Sequence, residues 1–229
     1  MTKAAFDAYR DSYEDMVGSS IAFSGLKHDF FLTAKVRFLA GLFAERFGKA
    51  NRPALLDVGC GVGRMHPLLT PITGRLAGTD LSGEALARAR KDNPGIDYRP
   101  GEGGTLPFPS GDFDAAMAVC VVHHVQPAAR PALIAELVRV TRRGGLVVLI
   151  EHNPWNPLTR LAVARCPFDA DAVLLSAKEA RNRLATAGLQ EICSRHFLLF
   201  PTAAAPFARI ERSVGALPLG AQYAAVGTV

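Results

Sequence analysis

Apolar positions along this chain follow two different periods. Between His28 and Gly48, the residues Phe30, Phe31, Ala34, Phe38, Leu42, Phe43 and Phe47 recur at helical spacing and form a wide stripe. Residues 4–17 repeat the pattern more briefly through Phe6, Tyr9, Tyr13 and Val17, and Gly18-Ser19-Ser20 is expected to break that helix. The rest of the chain changes character. Short segments at 55–58, 75–79, 96–99, 115–122 and 146–150 read as strands, and the unbroken apolarity of 115–122 suits a parallel strand buried on both faces. Helical segments fall between them, at 64–69, 82–91 and 128–141. Strand and helix in alternation predict an α/β fold.

Capping residues sharpen these boundaries. Ser82 is a good N-cap with Glu84 in the following turn, and Asn93-Pro94-Gly95 ends that helix. Ser176-Ala177-Lys178-Glu179 has the form of a capping box and starts a helix that stops at Gly188. Arg142-Arg143-Gly144-Gly145 is expected to end the preceding helix with a glycine cap. A strand at 189–199, an apolar helix near 206–214 and a strand at 220–229 close the chain, and their loose link predicts an antiparallel edge. No internal repeat or linker interrupts the 229 residues, so one domain is expected.

The candidate chemistry concentrates at strand ends. Leu55-Leu56-Asp57-Val58-Gly59-Cys60-Gly61-Val62-Gly63-Arg64 is an apolar run that ends in a carboxylate and then places glycine at every second position. Without a Cβ, glycine lets a ligand rest against the main chain in a tight turn. Asp80, in Gly78-Thr79-Asp80-Leu81, ends the next strand at the distance where nucleotide-binding folds place an acid for a ribose. Arg64 stands where the dinucleotide fingerprint requires glycine, which disfavours NAD and FAD.

These motifs, in this order over roughly residues 30–200, resemble the class I S-adenosylmethionine (SAM) dependent methyltransferases. The resemblance implies a three-layer Rossmann-like sandwich. Its seven-stranded sheet would be mostly parallel with an antiparallel C-terminal strand, under a helical lid formed by residues 1–50. It implies SAM as cofactor, S-adenosylhomocysteine as product and no metal. The cofactor-binding positions it assigns are Asp57, Gly59, Cys60, Gly61, Gly63, Asp80, Leu81, Glu102, Gly103 and Cys120. In that family the acid after the second strand holds the ribose hydroxyls, and an acid at the position of Glu102 accepts a hydrogen bond from the adenine amine. Glycines 103 and 104 depart from the family pattern there, as does Glu102 where aspartate is more usual.

The reaction partners are less defined. His123 and His124 close the fourth strand, and His152 follows the fifth. Histidine at the C-terminal edge of such a sheet suits proton exchange near neutral pH. His124, His123 and His152 are the expected catalytic bases, in that order, with Glu151 as a substitute. Tyr13 and Phe30 in the lid, and Glu151, Asn153 and Trp155 after the fifth strand, are the expected substrate contacts. Residues 152–175 are expected to cap the site as an insertion. Cys120-Val121-Val122-His123-His124 stands where methyltransferases of exocyclic base amines carry an Asn/Asp-Pro-Pro-aromatic motif, which argues against nucleic acid.

Composition adds limits. The net charge of +5 and a pI near 9.2 arise from dispersed basic residues, a balance compatible with an anionic small-molecule acceptor. Scattered Cys60, Cys120, Cys166 and Cys193 lack metal-site spacing, and reduced, mostly buried thiols are expected. No membrane span or signal core is evident, so a cytoplasmic monomer or homodimer is the default. The expected activity is methyl transfer from SAM to an O or N atom of a metabolite, with C also open. The alternatives are a non-methylating SAM-binding protein, such as a cyclase or regulator, and an oxidoreductase with a nucleotide cofactor.

Overall fold

In the computed structural model, which describes residues 13–102, 104–202 and 204–229, a seven-stranded sheet runs in the order β3-β2-β1-β4-β5-β7-β6. Its strands are β1 (Ala54–Val58), β2 (Arg75–Asp80), β3 (Asp97–Pro100), β4 (Phe113–Val119), β5 (Thr141–His152), β6 (Gln190–Phe197) and β7 (Gln222–Thr228). The pairings among β1 to β5 are parallel, and β7 is antiparallel to both β5 and β6. The helices are α1 (Tyr13–Ile21), α2 (His28–Phe47), α3 (His66–Leu69), α4 (Gly83–Asp92), α5 (Arg130–Val140), α6 (Pro157–Arg165), α7 (Ala177–Thr186) and α8 (Ala205–Val214).

The predicted sandwich is the one found. Buried Leu56, Ala116, Ala118, Val147 and Leu149 pack on one face of the sheet with Ile134, Leu137, Ala180 and Leu184 of α5 and α7. Leu55, Ala115, Met117, Val148 and Ile150 pack on the other with Leu32, Val36, Leu39 and Phe43 of α2. Both faces of the central strands are dry, which is why their sequences are unbroken apolar runs. Ser82 and Ser176 cap α4 and α7 as expected, accepting from the N–H groups of Ala85 at 3.1 Å and Glu179 at 3.2 Å.

Three local expectations fail. Gly18-Ser19-Ser20 continues α1 instead of ending it, because three weak helix formers do not outweigh the packing of α1 against α2 and α6. Residues 1–12, which hold the first turns of that expected helix, lie outside the described residues. Strand β4 stops at Val119, since Cys120 adopts φ +56°, and residues 122–124 form a 3-10 turn. Arg142 to Gly145 belong to β5, where a register shift opposite Phe113 to Ala115 accommodates them, and Gly144 takes φ +73°. Of the thiols, Cys166 is buried but Cys193 is exposed. No helix among the described residues is long and apolar enough to cross a membrane.

A buried polar relay fixes the glycine turn onto this frame. Asp57 can only accept, so His66 Nε2–H donates to its Oδ2 at 3.1 Å, and Nδ1 takes the Tyr98 hydroxyl proton. Tyr98 stacks on His66 with ring centroids 5.3 Å apart. A Cβ on Gly63 would stand 2.7 Å from the Tyr98 oxygen, so the close fit of relay and turn excludes a side chain there. Tyr98→Phe should leave the buried Nδ1 of His66 without its partner and cost about 1–3 kcal/mol. Differential scanning fluorimetry should then show a Tm lower by roughly 2–10 °C. An unchanged Tm would detach the relay from the stability of the turn.

Candidate functional site

The sheet order reverses between β1 and β4, and a crevice opens there above the strand ends, where open α/β sheets bind ligands. The turn after β1 is built from backbone that side chains would obstruct. Gly59, Gly61 and Gly63 take φ of +76°, +53° and +71°. A Cβ on Gly59 would meet Val121 Cγ2 at 2.4 Å. The Gly59 N–H donates to the Thr79 carbonyl at 2.8 Å, and the Gly61 N–H donates to Asp80 Oδ2 at 2.8 Å. Asp80 Oδ1 accepts from the Ser82 N–H at 2.9 Å. Two backbone donors thus orient a half-buried carboxylate, and burial raises its pKa above the ordinary value.

One cavity of about 810 Å³ joins this turn to the end of β4. Asp57, Gly59, Cys60, Gly61, Asp80, Leu81 and Cys120 line it, so the structure brings together most of the positions expected to hold a cofactor. Gly63 lies behind the wall, against Tyr98. Glu102 is exposed and off the wall, and Gly103 lies outside the described residues. The roof comes from Ile21, Phe23, Phe30, Phe31, Leu32 and Lys35, and a further wall comes from Leu158, Ala162, Val163 and Phe168 of the insertion. Lys35 is only 6% exposed, an ammonium carried into a mostly apolar roof that also includes Ser20, Ser24 and His28.

At the far side of the crevice the three expected histidines meet. The ring of His123 lies 4.2 Å from that of His124 and 5.1 Å from that of His152, centroid to centroid, and all three residues line the cavity. Glu151 stands behind them, fully buried. Its Oε1 accepts from the N–H groups of Val121 at 3.1 Å and Val122 at 2.7 Å, and its Oε2 accepts from His123 Nδ1 at 2.5 Å. Asp169, from the insertion, faces the pair from the other side, with Oδ1 at 3.5 Å from His123 Nε2 and 3.4 Å from His124 Nε2. Burial pushes the His123 pKa down, but the Glu151 carboxylate and then Asp169 outweigh it and bring it up to about 10. For His124 the neighbouring carboxylates of Asp169 and Glu151 do not prevail. Burial, and then the charge of His123, lower it to about 4. Although burial favours their neutral forms, Glu151 and Asp169 stay below the usual carboxylate range because of His123.

The other expected substrate contacts sit elsewhere. Glu151 is spent on backbone and His123 and does not line the cavity. Asn153 is buried, donating to the carbonyls of Pro218 at 2.9 Å and Gly220 at 2.8 Å, and accepting from the Trp155 N–H at 3.1 Å. It therefore holds the β5 loop to the chain before β7. Trp155 is 73% exposed and does not line the cavity. The side chain of Tyr13 lies outside the described residues. Sequence reasoning placed Asp169 in the capping insertion without a role of its own and passed over Gln222. Gln222 donates to Cys120 Sγ at 3.4 Å and lies 3.5 Å from His152 Nδ1. No local signal marks either residue, because each arrives from a distant segment.

Comparison with known proteins agrees with this geometry. Residues 56–149 match the family described as a methyltransferase domain. An uncharacterized methyltransferase of Synechocystis sp. is 33% identical over 110 residues, 45% of this chain and 52% of that protein. A phosphatidylethanolamine N-methyltransferase of Cereibacter sphaeroides is 35% identical over 123 residues, 50% of this chain and 59% of that protein. The chain therefore spans only about half the length of the curated relatives it matches. A crystal structure from Thermotoga maritima, described as a SAM-dependent methyltransferase and possible histamine N-methyltransferase, superposes with a TM-score of 0.68 over 99% of both chains at 19% identity, a likeness of fold. Residues 56–149 thus resemble a methyltransferase domain, and the turn and sheet order agree with the fold of SAM-dependent methyltransferases.

Proposed function

We propose that this protein transfers a methyl group from SAM to an O or N atom of a small molecule with a largely apolar body. The observation that carries the reading is the single cavity that joins the glycine turn and Asp80 to the histidine cluster beneath an apolar roof. Asp80, already oriented by two backbone N–H groups, keeps lone pairs for the ribose diol, and the turn leaves room for the methionine portion. Lys35 offers a cation to an anionic group on either ligand. The Cereibacter relative acts on phosphatidylethanolamine, another acceptor with an apolar body.

The sulfonium is already activated, so the protein's task is alignment and exclusion of water. Holding the nucleophile in line with the methyl carbon supplies up to ~7–11 kcal/mol. The nucleophile attacks the methyl carbon, the C–S bond breaks, its electron pair stays on sulfur, and S-adenosylhomocysteine leaves. A hydroxyl or ammonium acceptor must also lose a proton. His124 carries a free-base imidazole at neutral pH, since its pKa is held near 4, and it faces the cavity. His123, raised to about 10, is already protonated and acts on the acceptor only as a donor.

Isothermal titration with SAM, S-adenosylhomocysteine and NAD tests the cofactor. SAM and its product should bind and NAD should not; binding of NAD alone would overturn the reading. Asp80→Ala should weaken SAM by about tenfold or more, the loss of charge-assisted hydrogen bonds worth about 1.5–3 kcal/mol. SAM binding with no turnover across a panel of hydroxyl and amine acceptors would favour a non-methylating SAM protein.

Thiol footprinting supplies a second, independent test. Burial pushes the Cys120 thiol up, but Lys35 and His152 outweigh it and bring it down to about 7. Cys60 in the same cavity is raised well above its ordinary value by burial and by Asp57 and Asp80. Iodoacetamide at pH 7.5 should therefore modify Cys120 before Cys60, and saturating SAM should slow Cys120 while leaving exposed Cys193 unaffected. Mass spectrometry reads the outcome, and equal Cys120 rates with and without SAM would place the cofactor outside this cavity.

A further inference from the structure

One ring nitrogen of the histidine cluster finds no hydrogen-bond partner among the described residues. His123 is 2% exposed, and its Nε2 is buried with no hydrogen-bond partner among the described residues. Asp169 Oδ1 stands 3.5 Å from it and 3.4 Å from His124 Nε2, beyond the usual 2.7–3.2 Å of an N–H···O bond. One donor atom from each of these three residues lies within 4.8 Å of the others. Two ligands bonded at about 2.0–2.1 Å to a tetrahedral ion are themselves about 3.4 Å apart. The spacing is that of atoms arranged around an ion.

The surroundings favour the same occupant. Glu151 takes the Nδ1 proton of His123 and is itself pinned by the N–H groups of Val121 and Val122. This is the arrangement in which a carboxylate behind a ligating imidazole fixes its tautomer and aims the other nitrogen at a metal. Both histidines and Asp169 line the cavity, so a bound ion would keep positions open towards the acceptor.

We infer that His123, His124 and Asp169 bind one divalent first-row transition-metal ion at the acceptor end of the cavity. Two imidazoles and one carboxylate suit zinc, iron, cobalt or nickel and disfavour the all-oxygen preferences of calcium and magnesium. The assignment departs from the metal-free site that the sequence suggests. Its chemical use rests on the methyltransferase reading above. An acceptor hydroxyl would bind the ion through oxygen and lose its proton to water. The oxygen would then attack the sulfonium methyl, forming the O–C bond as the C–S bond breaks and its electron pair passes to sulfur. Within this reading the substrate is an alcohol, phenol or enol, and His123 and His124 serve as ligands instead of as proton donor and base.

The test uses the full chain, stripped with chelator and then titrated with Zn2+ or Co2+ alone. One equivalent should bind, and Co2+ should give the intense visible bands of a low-symmetry, four- or five-coordinate site. Asp169→Asn and His124→Ala should each weaken Zn2+ by tenfold or more and abolish the cobalt spectrum, whereas Cys193→Ser should change neither. SAM titration of every variant reports whether the fold survives. Zn2+ binding unchanged in folded Asp169→Asn and His124→Ala, or no stoichiometric binding by the parent chain, would overturn the site. SAM bound by the metal-free chain with no metal uptake would sink the ion and leave the methyltransferase reading intact. One equivalent of metal lost on Asp169→Asn, with no SAM binding to the parent, would do the reverse.

Discussion

A carboxylate buried completely at the end of a central strand is the constraint on which the site depends. Glu151 closes β5 with no solvent contact, and an isolated charge there would be prohibitive. It is tolerated because the N–H groups of Val121 and Val122 and the ring of His123 converge on its two oxygens. Those donors become available only if the chain leaves β4 abruptly. Cys120 makes that turn at φ +56° while its own N–H still reaches the Ile150 carbonyl at 2.8 Å. Satisfying Glu151 and delivering His123 and His124 to the crevice are one structural event.

The same economy governs the opposite wall. Gly59 has to be glycine because Val121, in the segment that Glu151 holds, packs where a Cβ would go. The two sides of the crevice therefore touch through one side chain. The cofactor turn is braced from below by Asp57, His66 and Tyr98, residues from β1, α3 and β3 that meet in a dry layer. Polar groups at this depth specify a single arrangement, since any other leaves one of them unmet.

The architecture was legible because its signals are local and periodic. The buried strands read as apolar runs, the glycine spacing located the turn, and Ser82 and Ser176 marked helix starts that the structure reproduces. The element ends were less legible for identifiable reasons. Cys120 to His124 continues the apolar run of β4, and nothing in its composition shows that a carboxylate thirty residues later will bend it. Glu151, Asn153 and Trp155 share one short stretch and drew one expectation, yet they divide into a buried anchor, a loop clasp and an exposed ring. Proximity in sequence after a strand end implies proximity in space for about one turn, and side-chain direction then separates the neighbours. Asp169 reaches the histidines only through the fold of the insertion, so its partners were invisible to spacing.

That fold is itself held by a buried cation. Arg130 at the start of α5 is 1% exposed. Its Nε donates to the Val125 carbonyl at 3.0 Å, and its Nη2 donates to the Val173 carbonyl. The Val173 N–H in turn donates to the His123 carbonyl at 2.9 Å. One guanidinium thus ties the segment after the histidines to the segment after Asp169, and a backbone bond closes the loop between them. Burial of such a charge is tolerable because neutral carbonyls and Glu179, 3.4 Å away, meet its donors. The separation between Asp169 and the two imidazoles is therefore set by main-chain bonds and a buried side chain rather than by attraction within the cluster. Groups held apart at that spacing by their supports are already organised for whatever binds between them, and binding need not also bear the cost of drawing them together.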